Sequence, residues 1–410
     1  MSESGIEQLA HEANTLGSAF DPRRNSLNFI RLCLATTVIL SHAFAFRRGV
    51  EFGKFWNSKS DLGTIAVFGF FGISGFLIAG SALRNHVGRY LWQRFLRIFP
   101  AFWICLFVTA FLFAYLGWQH TRPGYSAVCG LHCYTHEPNG PWSFVFNNFF
   151  LKMRQLTIPH TIPRSGVQAW NGSLWSLFFE FVCYLLLAGL AIIGLLRRRA
   201  AVAVLAGVFW FTDFVVTSVP SLNAEFNVFV RVDEMMIIAL VPIFLVGAVI
   251  FLYQDRIPDS GWIAWGCVAL FFVGFVLPLG NSYPGFSLTS VNITAPFLVY
   301  PLLWLGIHLP CQRIGAKNDY SYGVYIYAFP VQQILAIWGV SKWGYWPYTL
   351  VTIAAVAPFA AASWWLVERN ALKLKKLRLK KRGAELGSDE EPRVIEVASD
   401  ATSIQHLGDA

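Results

Sequence analysis

Five ionisable side chains stand where an apolar chain can least accommodate them, and each brings its own chemistry. Arg31 and His42 share the segment NFIRLCLATTVILSHAF. Eleven residues at ~100° each return to within about 20° of the starting face of a helix, with ~16 Å of axis between the two side chains. An imidazole whose ordinary pKa is about 6.5 suits proton transfer near neutrality. Glu180 lies in NGSLWSLFFEFVCYL, where a lone carboxylate is costly and must pair or hold a proton; His42 or an arginine is its expected partner. Arg94 and Arg97 in RYLWQRFLRIFP are three residues apart, and two guanidiniums one turn apart can grip a phosphate. Each has a plainer alternative: a snorkelling arginine, a histidine satisfied by a neighbouring helix, a structural carboxylate pair, or charges that only set topology.

Smaller residues sit beside them. Gly69, Gly72 and Gly75 in FGFFGISGFLIAGS recur every third position, with Ser74 among them. Such a stripe permits close helix packing or admits a thin chain between helices. Cys129 and Cys133, in CGLHCYTH, could form a short disulfide, bind metal with His132 and His136, or do neither; the spacing matches no strong zinc pattern. The other five cysteines read as small core hydrophobes. Trp118, Trp142 and Trp170 suit an interfacial aromatic belt, with stacking on sugars as the alternative.

What positions these groups follows from composition. Of 410 residues, 55% are hydrophobic and only 13% charged, about half the charged fraction of a soluble domain. That excludes an ordinary cytosolic enzyme, a disordered regulator and a small disulfide scaffold. The net charge of +9 reflects basic cytoplasmic loops rather than nucleic-acid binding, since no basic patch interleaves with aromatics on a soluble fold. The expected fold is an all-α polytopic membrane protein with about ten spans, near 29–46, 63–83, 98–118, 174–195, 201–219, 236–253, 262–279, 292–309, 321–340 and 347–367. Asp213 and the Pro296/Pro301 pair make the fifth and eighth the weakest. The first 24 residues lack the pattern of a signal peptide, so the first span is expected to remain as an anchor.

With the N-terminus inside, 21 Lys and Arg fall on the inner side and 10 on the outer side, placing both termini in the cytoplasm. The organisation is a tail over 1–24, a membrane domain over 25–369 and a tail over 370–410, basic and then acidic, expected to be disordered. The basic run ALKLKKLRLKKRG could bind anionic lipid or simply flank the last span. The longest outer connection, about 119–173, could be a lid or acceptor platform. Buried Arg31, His42 and Glu180 would also suit a transporter or flippase. That class leaves the arginine pair unexplained, and no inverted repeat is evident.

In register, Arg31-x10-His42, SGFLI, Arg94-x-x-Arg97-Ile-x-Pro and NGSLWSLxxE with Tyr184 resemble acyltransferase family 3, integral-membrane O-acyltransferases of bacterial surface glycans, some lipids and antibiotics. SYGVYIYAFPVQQ and WWLVERNAL extend the resemblance, which runs from Asn25 to Glu368. It implies transfer of an acyl, usually acetyl, group from cytoplasmic acyl-CoA to a hydroxyl of a glycan, glycolipid or small molecule at the bacterial inner membrane, with no permanently bound cofactor and no metal. His42, Glu180 and Arg31 become the catalytic candidates. Arg94, Arg97, Ser74 and Gly75 become the donor-binding ones, and Trp175, Ser176 and Tyr184 the acceptor-binding ones. On this reading the pantetheine arm threads beside the glycine face to His42, which acts as general base or carries the acyl group itself, while Glu180 orients the imidazole. Three departures stand out: Asn28 where many members have an acid, Ala328 where some have a histidine, and Asn370 where a proline follows the last glutamate.

Overall fold

The computed structural model describes residues 14–49, 60–164, 166–219, 232–277, 280–283 and 286–376. The chain divides into Met1–Lys375 and Lys376–Ala410, and everything that follows concerns the first unit. The first 13 residues, the basic run past Lys376 and the acidic C-terminal end expected from the sequence lie outside the described residues.

All ten expected segments are helical. In chain order they are α1 (Leu27–Arg48), α2 (Leu62–Arg84), α3 (Val87–Thr121), α4 (Gly172–Ile192) and α5 (Arg199–Ser218), followed by α6 (Val232–Leu252), α7 (Gly261–Val276), α8 (Ser290–His308), α9 (Ser321–Ile337) and α10 (Tyr345–Lys373). Among the described residues, eight helices are long and apolar enough to cross a bilayer; α7, with 16 residues, and α9, with 17, are shorter. The protein is therefore an all-α polytopic membrane protein. A short antiparallel hairpin, Gly280–Tyr283 with Phe286–Thr289, joins α7 to α8. Neither weak span breaks. Asp213 is fully buried within a continuous α5, and α8 passes through a 3-10 stretch, Ala295–Leu298, at its first proline.

Local chemistry sets the helix ends. Asp61 caps α2, its Oδ1 accepting from Thr64 N at 2.9 Å, the role that makes a short acid a preferred N-cap. Gly49 closes α1 at φ +73°, its N–H donating to Ala45 O, a left-handed position that glycine takes without strain. Both α3 and α10 contain a π-helical turn, Thr109–Phe113 and Ser363–Glu368, and such turns re-aim the side chains that follow.

The glycine stripe of α2 is a packing face. A Cβ on Gly75 would collide with the Phe244 carbonyl of α6, one on Gly72 with Val299, and one on Gly69 with Leu34 and Leu302. The pantetheine path expected beside this face is filled by protein.

The connection between α3 and α4 carries two helices, Pro123–His136 and Pro141–Asn148, followed by an irregular stretch. Cys129 and Cys133 are bonded to each other. Trp118 and Trp170 are fully buried and Trp142 is half-exposed, so the first two belong to the core and not to an interfacial belt or a sugar platform. The irregular stretch dips into the bundle for a definable reason. Pro330 has no N–H, so the Ile326 carbonyl one turn earlier in α9 loses its helical partner. Asn171 Nδ2 donates to that carbonyl at 2.8 Å, and Cys105 Sγ lies 3.2 Å from it. Non-helical backbone is tolerated at membrane depth where protein buries it.

Candidate active site

One end of the bundle holds an ion network. Asp319, just before α9, receives Arg31 Nη1 of α1 at 3.1 Å and Arg97 Nη2 of α3. Arg97 Nη1 also donates to Glu368 Oε2 at 3.2 Å, and Glu368 Oε1 accepts from Ser363 Oγ at 2.9 Å across the π turn of α10. Residues at the starts of α1, α3 and α9 and near the end of α10 thus meet at one level. A chain that crosses at every helix brings those points to one side. Burial pushes the Asp319 carboxyl up, but Arg97, Arg31 and the hydrogen bonds from Ser321 outweigh it and hold the group well below the usual carboxylate range.

Arg94 differs from Arg97. Its guanidinium lies 6.0 Å from the Tyr184 ring centroid, and its Nε is buried with no hydrogen-bond partner. It faces a small cavity of about 70 Å³, lined also by Arg31, Arg97, Ser74, Glu180, Tyr184 and Tyr322. A second, narrow one of about 30 Å³ shares Arg31, Glu180 and Tyr322 and is lined also by Phe70, Ser176 and Tyr325. A wider one, about 570 Å³, lies beside Arg313 and Lys317 and shares Ser321 with the second. Asn28 lines it, donating to Gly315 O at 2.9 Å.

Glu180 does not pair with His42. Ser74 Oγ donates to Glu180 Oε1 at 2.9 Å, and so does the Tyr184 hydroxyl, so the expected histidine or arginine partner is replaced by two neutral donors. Ser176 and Tyr325 share a hydrogen bond of 2.6 Å. Trp175 packs edge-on against Phe179 and lines neither cavity. Of the positions where the chain departs from the family pattern, Ala328 is fully buried and Asn370 Nδ2 donates back to Leu366 O at 3.0 Å.

His42 stands further along α1 from Arg31, towards the other end of the bundle. It is half-buried, its Nδ1 is buried with no hydrogen-bond partner, and its ring meets Phe329 of α9 edge-on at 5.0 Å between centroids. Asp61 acts on it electrostatically and is fixed by Ser41 Oγ at 3.0 Å. Because α1 and α9 run in the same direction, Arg31 meets Asp319 at the foot of α9 while His42 meets Phe329 ten residues on. The shared face read from the 11-residue spacing is thus realised against a single helix.

Asp319, Glu368, Tyr322, Tyr325 and Asp61 escaped sequence reasoning. Asp319 and Glu368 flank spans at the level of Arg31 and Arg97, so comparing depths of helix ends would have flagged them. Tyr322 and Tyr325 look like ordinary helix aromatics, and Asp61 like an ordinary cap.

A family model described as an acyltransferase domain matches residues 24–368. The chain is 28% identical over 356 residues to a protein of Shigella phage Sf6 named O-acetyl transferase, covering 85% of this chain and 96% of that one. It is 26% identical over 362 residues to nodulation protein 10 of Rhizobium leguminosarum bv. viciae, covering 86% and 94%. No solved structure matches. Transfer chemistry is thereby favoured over the transporter alternative. With a family match that spans the ion network, both smaller cavities and His42, the chain belongs to acyltransferase family 3 and is a multi-pass membrane acyltransferase.

Proposed function

We propose that the protein moves an acetyl group from cytoplasmic acetyl-CoA to a hydroxyl of a cell-surface glycan or glycolipid at the bacterial inner membrane. The name of the phage relative supports acetyl transfer to oxygen. The observation that carries the reading is the occurrence together of two buried atoms without a hydrogen-bond partner among the described residues, Arg94 Nε, which faces a cavity, and His42 Nδ1. One end offers a cation for an anionic donor, and the other a base for a neutral acceptor.

The donor's phosphates bind at Arg94, with the wide space beside Arg313 and Lys317 taking the nucleotide. The arm runs along the line of the two small cavities that share Arg31, Glu180 and Tyr322, towards Tyr325, one turn of α9 below Phe329. This route replaces the one along Gly75. Arg97, held by two carboxylates, keeps the foot of α3 in place, and Arg31 does so for α1. Glu180 stays within the donor channel, fixed by Ser74 and Tyr184.

At His42 the imidazole takes the proton from the acceptor hydroxyl as its oxygen attacks the thioester carbonyl. The tetrahedral intermediate collapses with cleavage of the C–S bond, and the imidazolium returns its proton to the departing thiolate. No charge is left behind, which suits a site inside a membrane. Acyl esters released from surface glycans and lipids of cells with and without the gene test the reading. Loss of a 42-dalton-type acetyl mark supports it, whereas unchanged acylation with altered export contradicts it.

A further inference from the structure

Gln333 sits on α9 with 1% of its surface exposed. Its Oε1 is buried without a partner, and its side chain makes no hydrogen bond among the described residues. The neighbouring Gln332 also has an unmatched Oε1, but its Nε2 donates to Ile39 O at 2.9 Å and ties α9 to α1. A buried amide left unmatched loses its hydration without recovering a hydrogen bond, so Gln333 is unfavourable to the fold itself.

Three further unmatched atoms belong to residues packed against α9 at Tyr325, Ile326 and Phe329, namely Ser173 Oγ, Asn171 Oδ1 and His42 Nδ1. Phe329 links them, since its ring contacts His42 and a Cβ on Gly172, between Asn171 and Ser173, would strike the same ring. Gln333 lies one turn beyond Phe329 on the same face of α9. Its amide looks onto Gly166 of the dipping segment, where a Cβ would stand 4.0 Å from Nε2. The Asn171 and Gln333 oxygens are acceptors, and together with the serine hydroxyl they lack donors. A ligand carrying several hydroxyl groups supplies those donors, and its ring or hydroxyl oxygens accept from the Gln333 NH₂.

We infer that Gln333, with Asn171 and Ser173, forms the subsite that holds a polyhydroxylated acceptor with one hydroxyl presented to His42. This rests on the proposed transfer reaction at His42. It adds the residue that binds the acceptor and a reason for its burial: its hydrogen bonds are completed only by substrate.

The test uses Q333L in the full-length protein, with three readouts: thermal unfolding and CoA binding in neutral detergent, and acetyl esters released from envelope glycans of deletion cells carrying the variant. Removing an unmatched amide is expected to leave Tm unchanged or raise it and to keep the CoA Kd within about twofold, while acetyl esters fall about tenfold or more. Q333E, which keeps an acceptor oxygen in place, is expected to retain more transfer than Q333L. A lower Tm in Q333L, with or without loss of transfer, overturns the inference by showing a structural role, and so does wild-type transfer by Q333L. If wild-type cells themselves carry no acetyl mark, the proposed function fails and the subsite with it.

Discussion

The two ends of this bundle treat buried polarity in opposite ways. At the foot of α1, Asp319 and Glu368 are bonded to Arg31 and Arg97. Around His42, the unmatched atoms of His42, Asn171, Ser173 and Gln333 are left open. Both patterns cost free energy in hydrocarbon, but only the first recovers it within the fold. A paired buried charge holds geometry, and an unpaired polar atom keeps a place for something that arrives later. Arg94 sharpens the contrast, because its Nε stays unmatched beside the paired carboxylates.

The comparison breaks most visibly at Asp319. Asp319→Ala strands Arg31 and leaves Arg97 with Glu368 alone; it is expected to cost about 3 kcal/mol or more, read as a lowered Tm in detergent. An unchanged Tm would mean the network holds nothing together. Acid should act in the same direction. Asp319 is held below its ordinary range, so its contribution is complete above the unfolded carboxylate pKa of about 4 and is lost as pH falls below it. Thermal stability measured from pH 7 downward should be level and then fall in that acid window.

Arg94 and Arg97 should separate. Arg97→Gln strips Glu368 of its charged partner, leaves Asp319 with Arg31 alone and should lower Tm; Arg94→Gln should leave Tm near wild type and weaken CoA binding about tenfold. Equal losses of stability would erase the distinction between the two.

A smaller effect concerns Lys375, in the turn after α10 that is fixed by Trp92 Nε1 donating to Leu374 O at 3.3 Å. Burial, then Arg94 and Arg97, push its ammonium down to about 8. The group is charged below that pH and neutral above it, so the CoA Kd should rise by a few-fold between about pH 7 and 9. Lys375→Arg should flatten the profile; a wild-type Kd independent of pH would show that the Lys375 charge does not act on the bound donor.

Much of this architecture is legible in the chain itself. Ten apolar runs mark ten helices, and the 11-residue spacing puts Arg31 and His42 on one face. The difficulty lies in partners far apart in sequence. Glu180 finds Ser74 and Tyr184, and Arg97 finds Asp319 and Glu368, because helix order in space decides who meets whom. The glycine stripe has the right spacing for two uses, and only the position of α6 shows that packing takes it. Trp170 misleads for a related reason: the segment between α3 and α4 folds into the bundle, where Asn171 satisfies a carbonyl that Pro330 leaves open, which no local pattern announces.

The central claim is that donor binding and proton transfer reside at opposite ends of α1, and purified His42→Ala tests it most directly. It is expected to bind CoA with the wild-type Kd and to keep its Tm, while acetyl transfer to envelope glycans falls by ~10²-fold or more. Transfer near the wild-type rate, or a Kd that weakens with it, would contradict the separation.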